Sequence, residues 1–272
     1  MYLETENFIS ITLLLATIGL LISSLEILAS RENYTPTGIL SWNVLRLRSD
    51  ILNNIIPLKI IDFIFDTPYF FGVIVFRIIC LIGLIYAIFY HSNISFPLTF
   101  IVISNFLINY RSSYGCDGSD QMLTIVFFIV CISSYFGLAD VGNVCLIFIG
   151  CQSCLSYFVS GVAKVAGKKW RKGTAVAEIL SSQSYGNNLV GSFLQKHIYL
   201  SKLISWTTVI FECLFPIVLI LPNHYLYFFL GLGLIFHISI ALLMGLNVFV
   251  WAFVCTYPAI IYTSFFIDSI FN

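Results

Sequence analysis

Charge is scarce in this chain. Only 10% of its 272 residues are Asp, Glu, Lys or Arg, against roughly a quarter in soluble domains. That excludes an ordinary water-soluble globule. The period-2 alternation of an outer-membrane barrel is missing as well, so a closed barrel is not expected. No glycine loop points to a nucleotide and no pair of CxxC motifs points to zinc, so no metal is expected. There is no nucleic-acid signature, no internal repeat and, beyond one glycine-rich patch, no low-complexity sequence.

What is present is apolar. Hydrophobic residues make up 59% of the chain and the mean hydropathy is +0.97. Crossing a ~30 Å hydrocarbon core takes roughly 20 apolar residues as a helix. Windows near that length fall at 8–29, 71–90, 94–108, 121–138, 141–163, 203–221, 225–244 and 247–267. The run 94–108 is short, and the last two windows read equally as one helix broken near Gly245 and Asn247. The expected fold is an all-α integral membrane protein, a polytopic helical bundle of seven or eight transmembrane helices. It has one or two interfacial helical loops, and residues 1–272 form a single membrane domain. The first apolar run follows Glu4 and Glu6 and precedes Glu32. A cleaved signal has a basic start and a shorter core, so this run is read as a retained helix.

The cations set the expected orientation. All thirteen, from Arg31 to Lys202, fall in or beside the first, third and fifth connections. Loops rich in Lys and Arg stay cytoplasmic. The reading is therefore a multi-pass cell-membrane protein with its N-terminus outside and the basic loops 30–70, 109–120 and 164–202 in the cytoplasm. Within 30–70, Leu45, Ile51, Leu52, Ile55, Ile56 and Ile60 recur at roughly helical spacing. That suits a helix lying along the membrane interface or a short helix packed under the bundle. The stretch 164–202 reads as an interfacial or partly re-entrant excursion. Seven of the eight cysteines lie in apolar segments, where free cysteine behaves as a small hydrophobe. Cys151 and Cys154 have a redox spacing, but mid-span and with no basic neighbour to favour a thiolate.

Ionisable residues where hydrocarbon should be are expensive and by default mark function. Arg77 lies about two turns into the second span, either functional or snorkelling toward the interface. Glu212 and His237 are central in adjacent spans, and read as a carboxylate orienting an imidazole or as a structural hydrogen bond. In the third connection, "NYRSSYGCDGSDQM", Asn109, Arg111, Asp117 and Asp120 crowd together. They suit a polar head group or a cation, or else a turn in which Ser119 or Asp120 caps the next helix. On the fifth span, Tyr157, Gly161, Lys164 and Lys168 fall on one face at i, i+4, i+7 and i+11. Gly161 admits close approach of another helix or a substrate beside Lys164. A desolvated lysine can act as a base or nucleophile; lysine is also what ends many membrane helices at the cytoplasmic face.

The stretch "YFVSGVAKVAGKKWRKGTAV" resembles the signature of the horizontally transferred transmembrane (HTTM) superfamily, the membrane domain shared with vitamin K-dependent gamma-carboxylases. There the pattern is Tyr, then Gly-x-x-Lys, a spacer, Trp and Gly; here it is Tyr157, Gly161, Lys164, Trp170 and Gly173. "FRIICLIGLIY", "WTTVIFECLFPIVL" and "FHISIALLMGLNVFVWAFVCTYPA" look like the same family, so the likeness covers roughly residues 70–262. It implies that Lys164 supports oxygenation of a reduced quinone, the cofactor of those enzymes. The third connection lacks the carboxylase Asn-Asn-His-Ser-Tyr motif, and the large domain that binds propeptide and glutamate is not in these residues. The short length, the Gly-x-Asp-Gly-Ser-Asp-Gln loop and "CTYPAI" are similar to the sporulation-delaying protein B branch, needed to mature a secreted antimicrobial peptide toxin. That likeness implies a secreted peptide precursor, a small accessory protein and membrane lipid as partners. Catalytic roles fall on Lys164, His237 and Glu212. Substrate or head-group contacts fall on Arg77, Asn109, Arg111, Asp117, Asp120, Tyr157, Gly161 and Trp170.

Overall fold

The structure, a computed structural model, describes residues 2–48, 58–112, 116–136 and 139–271. These residues are overwhelmingly helical, and no strand occurs among them. In hydrocarbon every backbone N–H and C=O must be satisfied internally, and a helix does this within one segment. Among the described residues, seven helices are long and apolar enough to cross a membrane: Thr5–Ala29, Tyr69–Phe89, Gly118–Phe136, Asp140–Ala166, Ile198–Ile220, His224–Met244 and Asn247–Phe271. This is a polytopic all-α membrane protein. The short run read at 94–108 becomes a 17-residue helix, at the lower edge of what crosses a bilayer. By contact, the described residues group into two compact units, Leu13–Leu138 and Met1–Thr12 with Ala139–Asn272.

The first unit contains most of α1 (Tyr2–Ala29), then α2 (Trp42–Leu45), α3 (Leu58–Phe65), α4 (Tyr69–Phe89), α5 (Ser95–Arg111) and α6 (Gly118–Phe136). Its aromatic core joins Tyr34, Trp42, Phe65 and Phe70 to Ile27, Ile61, Ile74 and Ile108. The first connection is therefore packed into the unit through Trp42 and α3, and the indole Nε1 of Trp42 donates to Asp62 Oδ1 at 2.8 Å. Of the residues read as one apolar face, Leu45 packs against that core and Ile60 is exposed. Ile51, Leu52, Ile55 and Ile56 lie outside the described residues.

The second unit is built on α7 (Ala139–Ala166), which packs against α11 (Ile198–Leu214) and α14 (Tyr257–Phe271). Between them the basic stretch folds as three short helices, α8 (Lys168–Lys172), α9 (Ala175–Leu180) and α10 (Asn188–Lys196), rather than one excursion. Ala177, Leu180 and Leu194 hold α9 and α10 together. Asn187 caps α10 by accepting from the Val190 N–H, and Gly173, in the left-handed region at φ 78°, ends α8. Pro216 cannot donate to a helical ladder; α11 stops at Leu214 and continues as a tighter 3-10 turn, Phe215–Ile220. α12 (Asn223–Met244) ends at Gly245 (φ 74°), and α13 (Asn247–Val254) starts two residues later. The break anticipated near Gly245 and Asn247 is where the chain turns.

Candidate functional site

Three helices of the second unit position the site. One face of α7 carries Gly150, Cys154, Tyr157, Gly161 and Lys164, spaced three or four apart. Ser201, Ser205, Val209 and Glu212 form the buried face of α11. The helices meet at Gly161, where a Cβ would lie 2.8 Å from the Cys213 backbone nitrogen and 3.1 Å from Glu212 Cβ. Only a residue without a side chain lets the two backbones come this near.

One turn beyond that contact, the Lys164 amine meets the Glu212 carboxylate. Nζ donates to Oε1 at 2.8 Å and Oε2 at 2.7 Å, and to the Ser160 hydroxyl at 2.6 Å. An ammonium has three N–H donors, and here three oxygens receive them. The Lys164 nitrogen also lies 5.3 Å from the centre of the Trp170 ring. The lysine side chain keeps 20% of its surface exposed while the glutamate keeps 5%, so the amine is the accessible partner and the carboxylate lies behind it. Lys168, expected on the α7 face, instead begins α8 and is exposed.

Two turns back along α7, Tyr157 is fully enclosed. Its hydroxyl is 2.5 Å from His237 Nε2. Phe215 stacks on the tyrosine at 3.8 Å between centroids, and Phe253 stacks on the imidazole at 4.4 Å. His237 Nδ1 is buried with no hydrogen-bond partner. Tyr257 brings a second hydroxyl to the same place: a Cβ on Gly233 would lie 2.6 Å from Tyr257 Oη and 3.6 Å from Tyr157 Oη.

The pairing differs from the sequence reading. Glu212 and His237 do not bond to one another; Glu212 pairs with Lys164, and His237 with Tyr157. The physical reason is rotation. Close approach at Gly161 turns Glu212 toward the α7 end that carries Lys164, one turn on. Ser160, missed in the sequence, sits four residues before Lys164 and was legible as its i−4 neighbour.

The remaining candidates lie in the other unit, on Leu13–Leu138. Arg77 is 1% exposed and does not snorkel: its guanidinium bonds Ser24 Oγ and Asn105 Oδ1. Asn109 donates to the Thr124 hydroxyl at 2.9 Å. Arg111 donates to the main-chain oxygens of Phe65 and Tyr34 and lies over the Phe70 ring. Asp117 and Asp120 serve the start of α6. Asp117 Oδ1 accepts from the Ser119 and Asp120 N–H groups, and Asp120 Oδ2 accepts from the Asp117 N–H at 3.3 Å. This is a reciprocal capping box, with Asp117 as the cap in place of Ser119 or Asp120. Asp117→Ala is expected to lower unfolding stability by about 0.5–2 kcal/mol, read by thermal unfolding of the detergent-solubilised protein; an unchanged midpoint would return Asp117 to the ligand reading. Ser113, Tyr114 and Gly115 of this connection lie outside the described residues. Among the described residues, no group of three or more His, Cys, Asp or Glu could hold a metal ion.

Cys116 stands beside the cap. Burial, then the Asp120 and Asp117 charges, push its thiol up to about 11. A raised thiol value favours the neutral form at all lower pH, so Cys116 is inert near neutrality. Its alkylation by iodoacetamide, followed by peptide mass spectrometry, is expected to rise about tenfold per pH unit up to about 11. Labelling at pH 7 as fast as that of a free peptide thiol would contradict this environment.

Fold and site together define a polytopic membrane protein with a lysine–carboxylate pair where two spanning helices touch. No family model, no curated protein and no solved structure matches the chain.

Proposed function

We propose that this chain is a membrane factor required for the maturation or export of a secreted antimicrobial or toxin peptide, with Lys164 as its reactive group. The observation that supports this reading is the Lys164–Glu212 pair at 2.7 Å, with the amine accessible and the carboxylate withdrawn. In a low-dielectric setting the desolvation of two charges offsets most of their attraction. Passing one proton from Nζ to Glu212 therefore yields a neutral amine and a neutral acid without moving net charge out of the pair. A neutral amine at this position can take a proton from a substrate or attack an electrophilic carbon.

The likeness of Tyr157, Gly161, Lys164, Trp170 and Gly173 to the HTTM signature, and of the third connection to the sporulation-delaying protein B branch, supplies the process. On that reading the partners are a peptide precursor and a small accessory protein. The cation count supports an outside N-terminus and cytoplasmic basic loops, the loop 164–202 including the exposed Lys168, Lys169, Arg171 and Lys172 on α8.

A second reading, a quinone-dependent oxygenase or carboxylase-like enzyme, is favoured by the aromatic enclosure of His237 and its unpartnered Nδ1. Binding of reduced quinone and formation of its epoxide by the purified protein would select it. The test of the preferred reading is comparative mass spectrometry of secreted peptides. It compares the native host, a deletion, and the deletion complemented with Lys164→Ala at normal membrane levels. Unchanged peptides in the deletion would overturn it.

A further inference from the structure

In the unit built on α7, every Lys and Arg falls between residues 164 and 202. That stretch holds seven of them and a single carboxylate, Glu178. Lys164 pairs with Glu212, and Lys169 with Glu178. The other five, Lys168, Arg171, Lys172, Lys196 and Lys202, are exposed, and among the described residues none of them is in an ion pair. The stretch also lies at one end of the spans. Contacts run from Tyr157 to Phe215, Lys164 to Glu212 and Gly173 to Lys202, so α7 and α11 are antiparallel and α8–α10 join them at that end. Exposed Asp140 and Asp268 stand at the other end, where α7 starts and α14 finishes.

The short helices are held in fixed positions. Gly173 lets the end of α8 lie against α11: a Cβ there would fall 2.6 Å from Lys202 Cα, and the Gly173 carbonyl accepts from the Ser201 hydroxyl at 2.7 Å. Gly191 seats α10 on α9, a Cβ falling 2.7 Å from the Leu180 carbonyl oxygen, and Gln195 Nε2 donates to Ser181 Oγ at 2.8 Å. Gly191 and Leu194 are the buried side of α10, which fixes its outward face. Leu189, Phe193 and Lys196 occupy that face at i, i+4 and i+7. Tyr199, Lys202 and Leu203 make a similar exposed group on the first two turns of α11. Leu189 is 84% exposed and Tyr199 87%, so the described residues leave both almost bare. A lone exposed apolar side chain is ordinary; here several recur beside cations on two adjoining helices.

We propose that α8, the outward face of α10 and the first turns of α11 form a docking surface for the anionic phospholipid head groups of one leaflet. Lys172, Lys196 and Lys202 meet lipid phosphates, while Leu189, Phe193 and Tyr199 enter the boundary between head groups and acyl chains. Tyrosine favours that boundary because its ring is apolar and its hydroxyl is not. An acidic soluble peptide would neutralise the lysines and leave the three apolar side chains in water. A charged leaflet takes both halves of the surface. The surface draws on neither Lys164 nor Glu212, so it stands or falls apart from the reading of that pair.

The test uses the full-length protein, purified in detergent, delipidated, and offered equal amounts of dioleoyl phosphatidylglycerol and dioleoyl phosphatidylcholine. Their acyl chains are the same, so native mass spectrometry of the retained lipids reads the head group alone. Phosphatidylglycerol is expected to be retained about fivefold or more over phosphatidylcholine, and raising the salt is expected to shrink that preference. Lys172→Gln, Lys196→Gln and Lys202→Gln combined are expected to bring the two lipids to about equal retention. The melting point is expected to hold, since all three side chains are exposed. In nanodiscs, amide hydrogen exchange over 188–196 is expected to be slower with phosphatidylglycerol than with phosphatidylcholine, and Phe193→Ser to remove that difference. Equal retention by the wild type, or a triple variant that keeps the wild-type preference, overturns the proposal. So does a wild-type dimer that Phe193→Ser dissociates, which assigns the face to a second copy. Displacement of the phosphatidylglycerol by a polyglutamate peptide assigns it to an acidic peptide and overturns the proposal as well.

Discussion

In a host deleted for this chain, complementation with Lys164→Ala is expected to leave the secreted peptide absent or shifted in mass, and Lys164→Arg is expected to do no better. Removing a positioned base or nucleophile costs on the order of 10²–10⁴ in rate, which at the level of an accumulating peptide is loss. The arginine variant is the sharper of the two. Its guanidinium keeps the charge and can bond Glu212, but it does not deprotonate under these conditions. An active Lys164→Arg would mean that charge alone suffices, as for a scaffold that holds a partner or anionic lipid through its basic loop. Glu212→Gln is expected to reach normal membrane levels with reduced activity. The amide still accepts from Nζ but cannot take its proton. All three variants need immunoblots of the membrane fraction beside the peptide spectra, so that lost chemistry is separated from lost protein.

Gly161→Val is expected to disrupt the same site without altering any ionisable group. A Cβ at 161 meets Cys213 Sγ at 2.7 Å and the Cys213 backbone nitrogen at 2.8 Å. The sulfur can rotate away; the backbone cannot, so α7 and α11 must separate. Overpacking of this kind costs about 1–3 kcal/mol, and the separation falls one turn from the Lys164–Glu212 contact. The measurement is the melting point of the purified protein together with peptide output. Gly72→Ala is the control, since nothing lies within 4 Å of a Cβ there and alanine favours a helix interior. If Gly161→Val melts and functions like the wild type, the close approach is not what assembles the pair.

Much of the architecture was legible because each apolar run is long, continuous and bounded by polar residues. The break at Gly245, the weak span at 94–108 and the tight end of α11 at Pro216 all follow from local chemistry. The site was legible in its members and not in its pairing. Lys164, Glu212, His237 and Tyr157 stand out as polar groups in apolar surroundings, yet 48 residues separate Lys164 from Glu212 and 80 separate Tyr157 from His237. Ser24 and Asn105 could not be singled out at all. A serine or an asparagine in a span becomes notable only when a buried guanidinium 53 or 28 residues away bonds to it. A cap at the start of α6 is one of the two readings the third connection allows, but it falls on Asp117 rather than on Ser119 or Asp120, because which oxygen reaches which N–H depends on where the helix starts.

The sequence by itself therefore determined that the chain is helical and membrane-spanning, where its helices break, and which ionisable side chains lie inside it. Hydrophobic length and backbone hydrogen bonding are local demands, readable residue by residue. Tertiary structure alone decided which of those groups meet. A helix's rotation about its axis is set by packing against its neighbours, here by the contact of Gly161 with Cys213, and a change in that rotation would send the same carboxylate to a different partner.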